Sequence, residues 1–243
     1  MKNVIVNADD FGLNANANAA IIESFHKGII NSTTLMANMD GFDEAVELAH
    51  QYKLTDKVGA HLVLTEGNPL TDEARLLPYL FNKQNNSQKL FIKKFFALNQ
   101  TQKRIIFYEY SKQIERVQSK GIMITHLDTH HQIHDMLGIT LVLEELLKTY
   151  NIPSMRILNN LESTKFYKDF YRASVNAYLK RKRINFTDYL GSREDYLAAI
   201  NGNPGLTRNK TIEIMVHPIY NSGGKLVDIL QKKEYDFEYI TKG

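Results

Sequence analysis

A parallel α/β barrel of about seven strands, imperfectly closed, is the fold this sequence predicts, and three observations predict it. Short apolar runs alternate with segments of helical spacing along most of the chain. The length of 243 residues suits one domain of barrel size, commonly about 250 residues. Asp9-Asp10, His61, a His-rich run at 126–134 and His217 all lie in or just after strand-like runs. In a parallel barrel such strand ends converge on one face.

Taken in order, residues 2–8 read as a short buried strand that runs into Asp9-Asp10-Phe11-Gly12. Asn14 is placed to cap a helix reaching about Lys27, with Gly28 as its stop. Residues 30–37 read as a strand, 42–52 as a helix and 58–64 as the third strand, the last with His61 inside it. From 66 to 99 the rhythm breaks: the stretch holds Pro69, Pro78, a polar run at 82–87 and five aromatics. This mixture fits an insertion over the barrel mouth, a candidate lid, and fits equally a connecting helix with a small apolar face.

Residues 101–120 have helical spacing and end at Gly121, after which 122–125 form the strand leading to the His cluster. A helix over 137–150, a strand over 154–158 carrying Arg156, and a helix over 166–180 follow. Tyr189-Leu190-Gly191 precedes a helix over 193–200, and 211–216 is the last clear strand, delivering His217 to the same end of the sheet. No repeat, low-complexity linker or domain boundary interrupts the pattern, so residues 1–243 are expected to form a single domain.

Composition narrows the function. A hydrophobic fraction of 43% supports a substantial core. The net charge of +3, from 30 Lys and Arg against 27 Asp and Glu, is too balanced to argue for nucleic acid, and the basic run at 180–183 reads as a solvated helix end. There is no cysteine, which excludes disulfides and thiolate metal sites. The first residues lead straight into a strand without a signal-peptide apolar region, and no run approaches the ~20 apolar residues of a membrane span. A soluble cytoplasmic protein is the expectation.

The run Thr125-His126-Leu127-Asp128-Thr129-His130-His131-Gln132-Ile133-His134 places four imidazoles and a carboxylate in ten residues of a chain with eight histidines in all. Imidazole nitrogens and carboxylate oxygens are the ligands of borderline divalent metals, and a further carboxylate beside a ligating ring fixes its tautomer. Each motif alone has a plainer reading: a solvated polar turn for the run, a hydrogen-bonded core histidine for His61, a turn or helix cap for Asp9-Asp10. Their joint placement at strand ends favours a metal site. Asp128 is a candidate to orient an imidazole, or an ordinary turn acceptor; Arg156 is read as a structural ion pair rather than an anion-binding group.

Five segments carry a family resemblance: Asn7-Ala8-Asp9-Asp10-Phe11-Gly12, Ser32-Thr33-Thr34, Gly59-Ala60-His61-Leu62-Val63-Leu64-Thr65, the His-rich run, and Glu213-Ile214-Met215-Val216-His217-Pro218. In this order they resemble the YdjC/ChbG-like carbohydrate deacetylases, relatives of the polysaccharide deacetylases with a TIM-barrel-like fold. The resemblance implies one divalent ion held by Asp10, His61 and His130, with Asp9 as catalytic base and His217 as proton donor. It implies Mg2+, whereas the ligand types alone suit Zn2+ or another transition ion equally. Gln132 stands where close relatives often carry another His. The sequence also ends at Gly243, where the family commonly continues with a further helix and strand, which bears on barrel closure and on a shared surface in a candidate homodimer.

The activity so implied is hydrolytic removal of acetyl groups from N-acetylated amino sugars in short oligosaccharides such as chitobiose or its 6-phosphate. Aromatic faces commonly bind sugars, and the chain has 13 Tyr and 12 Phe but no Trp, which disfavours a long chitin-binding track. The same groups could instead serve metal-dependent phosphoester or glycoside hydrolysis of sugar phosphates. A non-catalytic sugar-binding module is the remaining alternative, and it has no need of the acid and base that Asp9 and His217 provide.

Overall fold

The computed structural model describes residues 3–77, 81, 98–161, 165–203, 206 and 210–230. Strand β1, Val4–Phe11, is buried along most of its length, as a central strand of a parallel sheet must be. It pairs in parallel with β2, Ser32–Leu35, on one side. On its other side it pairs in parallel with β6, Ile212–Val216. Beyond β2 lie β3, Val58–Leu62, and β4, Leu127–Thr129; beyond β6 lies β5, Tyr189–Ser192. The sheet order is β4-β3-β2-β1-β6-β5, parallel throughout, and the sheet curls as part of a barrel.

Helices alternate with these strands as the apolar spacing predicts. Helix α1, Ala15–His26, starts where the Asn14 side chain accepts from the Ala17 N–H at 3.0 Å, the expected cap. Helix α2 spans Phe42–Gln51. Helix α3, Gln100–Ser119, opens with a reciprocal capping box between Asn99 and Gln102, and Ile106, Tyr110, Ile114 and Val117 recur along its buried face. Helices α4, Leu137–Thr149, α5, Phe166–Arg181, and α6, Arg193–Gly202, complete the set. The core fills the space between strands and helices, with Val6, Leu62, Leu127 and Ile214 from the sheet meeting Ile21, Ile114 and Leu143 from the helices.

Two strands differ from expectation. Residues 122–125 make single backbone contacts, such as Thr125 N–H to Val58 O at 3.0 Å, and the ladder with β3 begins only at Leu127. Ile122 and Ile124 are buried and Met123 between them is exposed, so the segment keeps the alternation of a strand without its ladder. The expected strand at 154–158 is an irregular segment joined by single bridges, Leu127 to Met155 and Ser154 to Asn185. Arg156 N–H donates to Leu127 O at 2.8 Å, and Leu161 N–H donates to Leu190 O at 3.1 Å. Residues 154–161 thus touch both edge strands, β4 through Met155 and Arg156 and β5 through Asn160 and Leu161, by isolated hydrogen bonds instead of a ladder.

An unexpected antiparallel hairpin follows β6, formed by β7, Pro218–Tyr220, and β8, Leu226–Asp228. It is anchored on α1, where Asn16 accepts from Tyr220 N–H at 2.7 Å and donates to Tyr220 O at 3.0 Å. Of the candidate lid at 66–99, residues 78–80 and 82–97 lie outside the described residues. Among the described residues no helix is long and apolar enough to cross a membrane.

Candidate active site

Neighbouring residues in a strand point to opposite faces, so Asp9 and Asp10 can serve one site only if the strand deforms. It does: the register of β1 against β2 shifts between Ala8 and Phe11, and Asp10 has a left-handed backbone with φ of 69°. Gly12 follows at φ 88°, where a side chain would press on Leu35 and on the Met36 carbonyl at 3.0 Å. The bulge lets both carboxylates face the inside of the barrel mouth.

His61, at the end of β3, receives its orientation from β4 and β2. Its Nδ1 lies 2.8 Å from Asp128 Oδ1 and 3.2 Å from Thr34 Oγ1, and Thr34 in turn donates to Asp128 Oδ2 at 3.1 Å. With the proton of Nδ1 committed to Asp128, Nε2 is the free donor atom, and it lies 3.3 Å from Asp10 Oδ1. Burial acts against charging this ring, but the carboxylates of Asp128, Asp10 and Asp9 outweigh it and push its pKa up to about 10.

His130 opens a 3₁₀ turn, His130–Asp135, in which His131 and Gln132 take left-handed backbone angles. Nδ1 of His130 lies 3.0 Å from Asp10 Oδ1 and 3.3 Å from His61 Nε2; its Nε2 lies 3.1 Å from Glu66 Oε2. His131 meets Thr65 Oγ1 through Nδ1 at 2.9 Å and remains exposed. His134 is buried, with Nδ1 at 2.7 Å from Thr129 Oγ1, and buttresses the turn. His126 does not join this group; it lines a cavity of about 580 Å³ at the strand starts, together with Glu213.

Asp9 and His217, the expected acid–base pair, sit beside these rings. Asp9 accepts from both terminal nitrogens of the fully buried Arg156, at 2.7 and 2.6 Å, and from Asn7 at 2.9 Å. Arg156 also meets Asp128 at 2.8 Å and Glu213 at 2.6 Å, so one guanidinium is surrounded by three carboxylates. Burial alone would raise the Asp9 pKa; the Arg156 charge and hydrogen bonds reverse that and hold it below the usual carboxylate value. His217 Nε2 lies 3.7 Å from Asp9 Oδ2, and the His217 N–H donates to Asp228 Oδ2 at 2.8 Å, which ties the histidine to the hairpin.

Asp10, His61 and His130 together fit a divalent ion. Their ligand atoms lie within 4.8 Å of one another, and Asp10 Oδ1 is a buried oxygen without a hydrogen-bond partner, facing two ring nitrogens. An orphaned buried carboxylate oxygen is costly unless a cation satisfies it. A second grouping, Asp9, His61 and Asp128, is accounted for by Arg156 and by the His61 hydrogen bond.

The structure therefore brings all five expected residues, Asp9, Asp10, His61, His130 and His217, to one end of the sheet. It gives Asp128 the imidazole-orienting place and Arg156 the structural ion pair. Glu66, Thr34, Asn7 and Glu213 carry contacts that had no assigned role in the sequence. For Glu213 a signal existed: a lone acid inside the apolar run 211–216 and a lone Arg inside 154–158 are complementary buried charges.

A buried Asp-His-His group beside an Asp–Arg pair, at the strand ends of a parallel α/β barrel, defines a class of barrel able to hold a metal ion. The chain belongs to the YdjC-like family, whose model, described as YdjC-like protein, matches residues 3–242. It is 38% identical over 180 residues to a carbohydrate deacetylase of Clostridium beijerinckii, covering 71% of this chain and 70% of that protein. It is 33% identical to a carbohydrate deacetylase of Geobacillus stearothermophilus, over 89% of this chain and 79% of the relative. A crystal structure from Enterococcus faecalis V583, named for a proposed cellobiose-phosphate cleavage role, superposes with a TM-score of 0.69 at 23% identity, covering 96% of this chain and 85% of that one. This last likeness bears on the fold.

Proposed function

We propose that the chain is a metal-dependent carbohydrate deacetylase that releases acetate from N-acetylated amino sugars in short oligosaccharides such as chitobiose or its 6-phosphate. Hydrolysis of an acetyl group on a sugar accords with the name shared by its curated relatives, at 38% and 33% identity. The observation that carries the finer reading is the convergence of Asp10, His61 and His130 on one point, with Asp9 and His217 3.7 Å apart beside it.

In this reading Asp10 Oδ1, His61 Nε2 and His130 Nδ1 hold the ion. A divalent ion there supplies Lewis acidity to the acetyl carbonyl and to the attacking water. Asp9, ionised at neutral pH because Arg156 holds it so, accepts the proton of that water. His217 donates a proton to the departing amine, which cannot leave as an anion. Phe166, Tyr167 and Phe170 are exposed at the start of α5. Tyr171 anchors that helix to the His-rich turn by donating to the Asp135 carbonyl at 2.7 Å. Exposed aromatic faces so placed are suited to stacking against sugar rings.

The ion is Mg2+ by family resemblance, with Zn2+ as rival by ligand type. Acetate measured on incubation with N,N′-diacetylchitobiose and its 6-phosphate tests the reading. Acetate dependent on added divalent metal is expected; phosphate or reducing sugar in place of acetate would move the assignment to phosphoester or glycoside hydrolysis.

A further inference from the structure

Both histidines of the Asp10 group present a nitrogen to Asp10, but they present different ones. His61 turns Nε2 inward because Asp128 holds its Nδ1 at 2.8 Å. His130 turns Nδ1 inward, and the atom held from behind is Nε2, at 3.1 Å from Glu66 Oε2. We propose that Glu66 is the positioning residue for His130: it accepts the Nε2 proton and so fixes the tautomer and ring orientation that leave Nδ1 free to ligate. The proposal rests on the metal-site reading above and adds a residue to it.

The place of Glu66 is built into the fold. Glu66 follows β3 in a short turn, 65–68, that Asn38 clamps by donating to Glu66 O at 2.9 Å and to Asn68 O at 3.2 Å. Gly67 has φ of 72°, and a Cβ there would lie 2.6 Å from Met39 Sδ and 2.9 Å from Asn38 Nδ2, so turn and clamp are fitted to each other. The residue before Glu66 acts on the next histidine: Thr65 Oγ1 meets His131 Nδ1 at 2.9 Å. Two consecutive residues of one turn thus grip two consecutive residues of the other.

A neutral imidazole has one proton and one lone pair, so the group bonded behind the ring decides which nitrogen can ligate. Carboxylates placed behind ligating histidines typically account for about 10–100-fold in metal affinity. Glu66 is also partly exposed, at 37% of its side chain, so its substitution is compatible with folding.

The test is chelator-competition titration of wild type, Glu66→Gln and Glu66→Ala with zinc as the probe ion, together with long-range 1H–15N spectra of the His130 ring. Wild type should bind one equivalent and show His130 protonated at Nε2. Glu66→Ala should bind about 10–100-fold more weakly, with a mixed tautomer. Glu66→Gln, whose amide carbonyl can still accept the proton, should lose less. Unchanged affinity and tautomer in Glu66→Ala would overturn the proposal, as would equal losses in both variants. Two zinc equivalents in wild type falling to one in Glu66→Ala would also overturn it, because Glu66 would then be a ligand of a second ion with His130 and His131. No zinc bound by wild type would defeat the site reading itself, a result distinct from the others.

Discussion

Arg156 clasps Asp9 with both terminal nitrogens, at 2.7 and 2.6 Å, across 147 residues of sequence. The same side chain touches Asp128, which orients His61, so the proposed base and the proposed metal group share one buried cation. The arrangement keeps Asp9 ionised, and it makes Asp9 a weak base that accepts a proton only transiently. Glu213, on β6, is the third carboxylate on this guanidinium.

Removing that cation should be costly. Arg156→Met leaves three buried carboxylates without their partner and should destabilise the fold by about 3–5 kcal/mol, read by urea unfolding. The acid limit of stability should move as well. Because the Asp9 carboxyl is held below its ordinary 3.8, its contribution is present above that value and lost as pH falls through the lower folded one. Without Arg156 the folded pKa rises, so acid unfolding should begin at higher pH. An unchanged acid transition would count against the pairing as drawn.

Asp9→Asn and His217→Ala should retain metal and fold while losing about 10²–10⁴-fold in turnover each, the usual contribution of general acid–base groups. Loss of the base should remove the acidic limb of the rate profile. Turnover near the wild-type level in either variant would reduce that residue to a neighbour of the site.

His130→Ala should lose metal and activity together, because two remaining protein ligands seldom retain a catalytic ion. His131→Ala should be milder, since His131 bonds to Thr65 and is exposed. Elemental analysis of the purified variants distinguishes them, and equal metal loss at both positions would mean that the ligand is shared or misassigned.

Protein stripped by a chelator should be inactive and regain acetate release with added divalent metal. Ligation needs neutral imidazoles, so uptake should release protons and tighten as pH rises. In the ion-free protein the His61 pKa is pushed up to about 10, chiefly by the Asp128 carboxylate acting against burial. The stabilisation from charged His61 is therefore fully present below its ordinary 6.5 and lost as pH rises through about 10. Calorimetry in buffers of different ionisation enthalpy measures the released protons. Uptake without proton release at pH 8 would contradict this ligand set.

The alternation of strands and helices and the Asn14 cap were legible in the sequence, because each depends on local spacing; the choice of the five candidate site residues came from the family resemblance, and the structure brings them to one end of the sheet. Apolar periodicity reports which face is buried, and Asp9-Asp10, His61, His130 and His217 stand out as polar groups at the ends of buried runs. Tertiary structure alone decided the rest. Which nitrogen of His61 or His130 faces Asp10 depends on Asp128 and Glu66, 67 and 64 residues away in sequence. The convergence of Asp9 and Asp10 depends on a bulge and a left-handed residue in β1, which no residue type announces. The segment 154–158 has strand-like composition yet forms only single bridges, because hydrogen-bond ladders are set by the neighbours a strand meets and not by its own side chains.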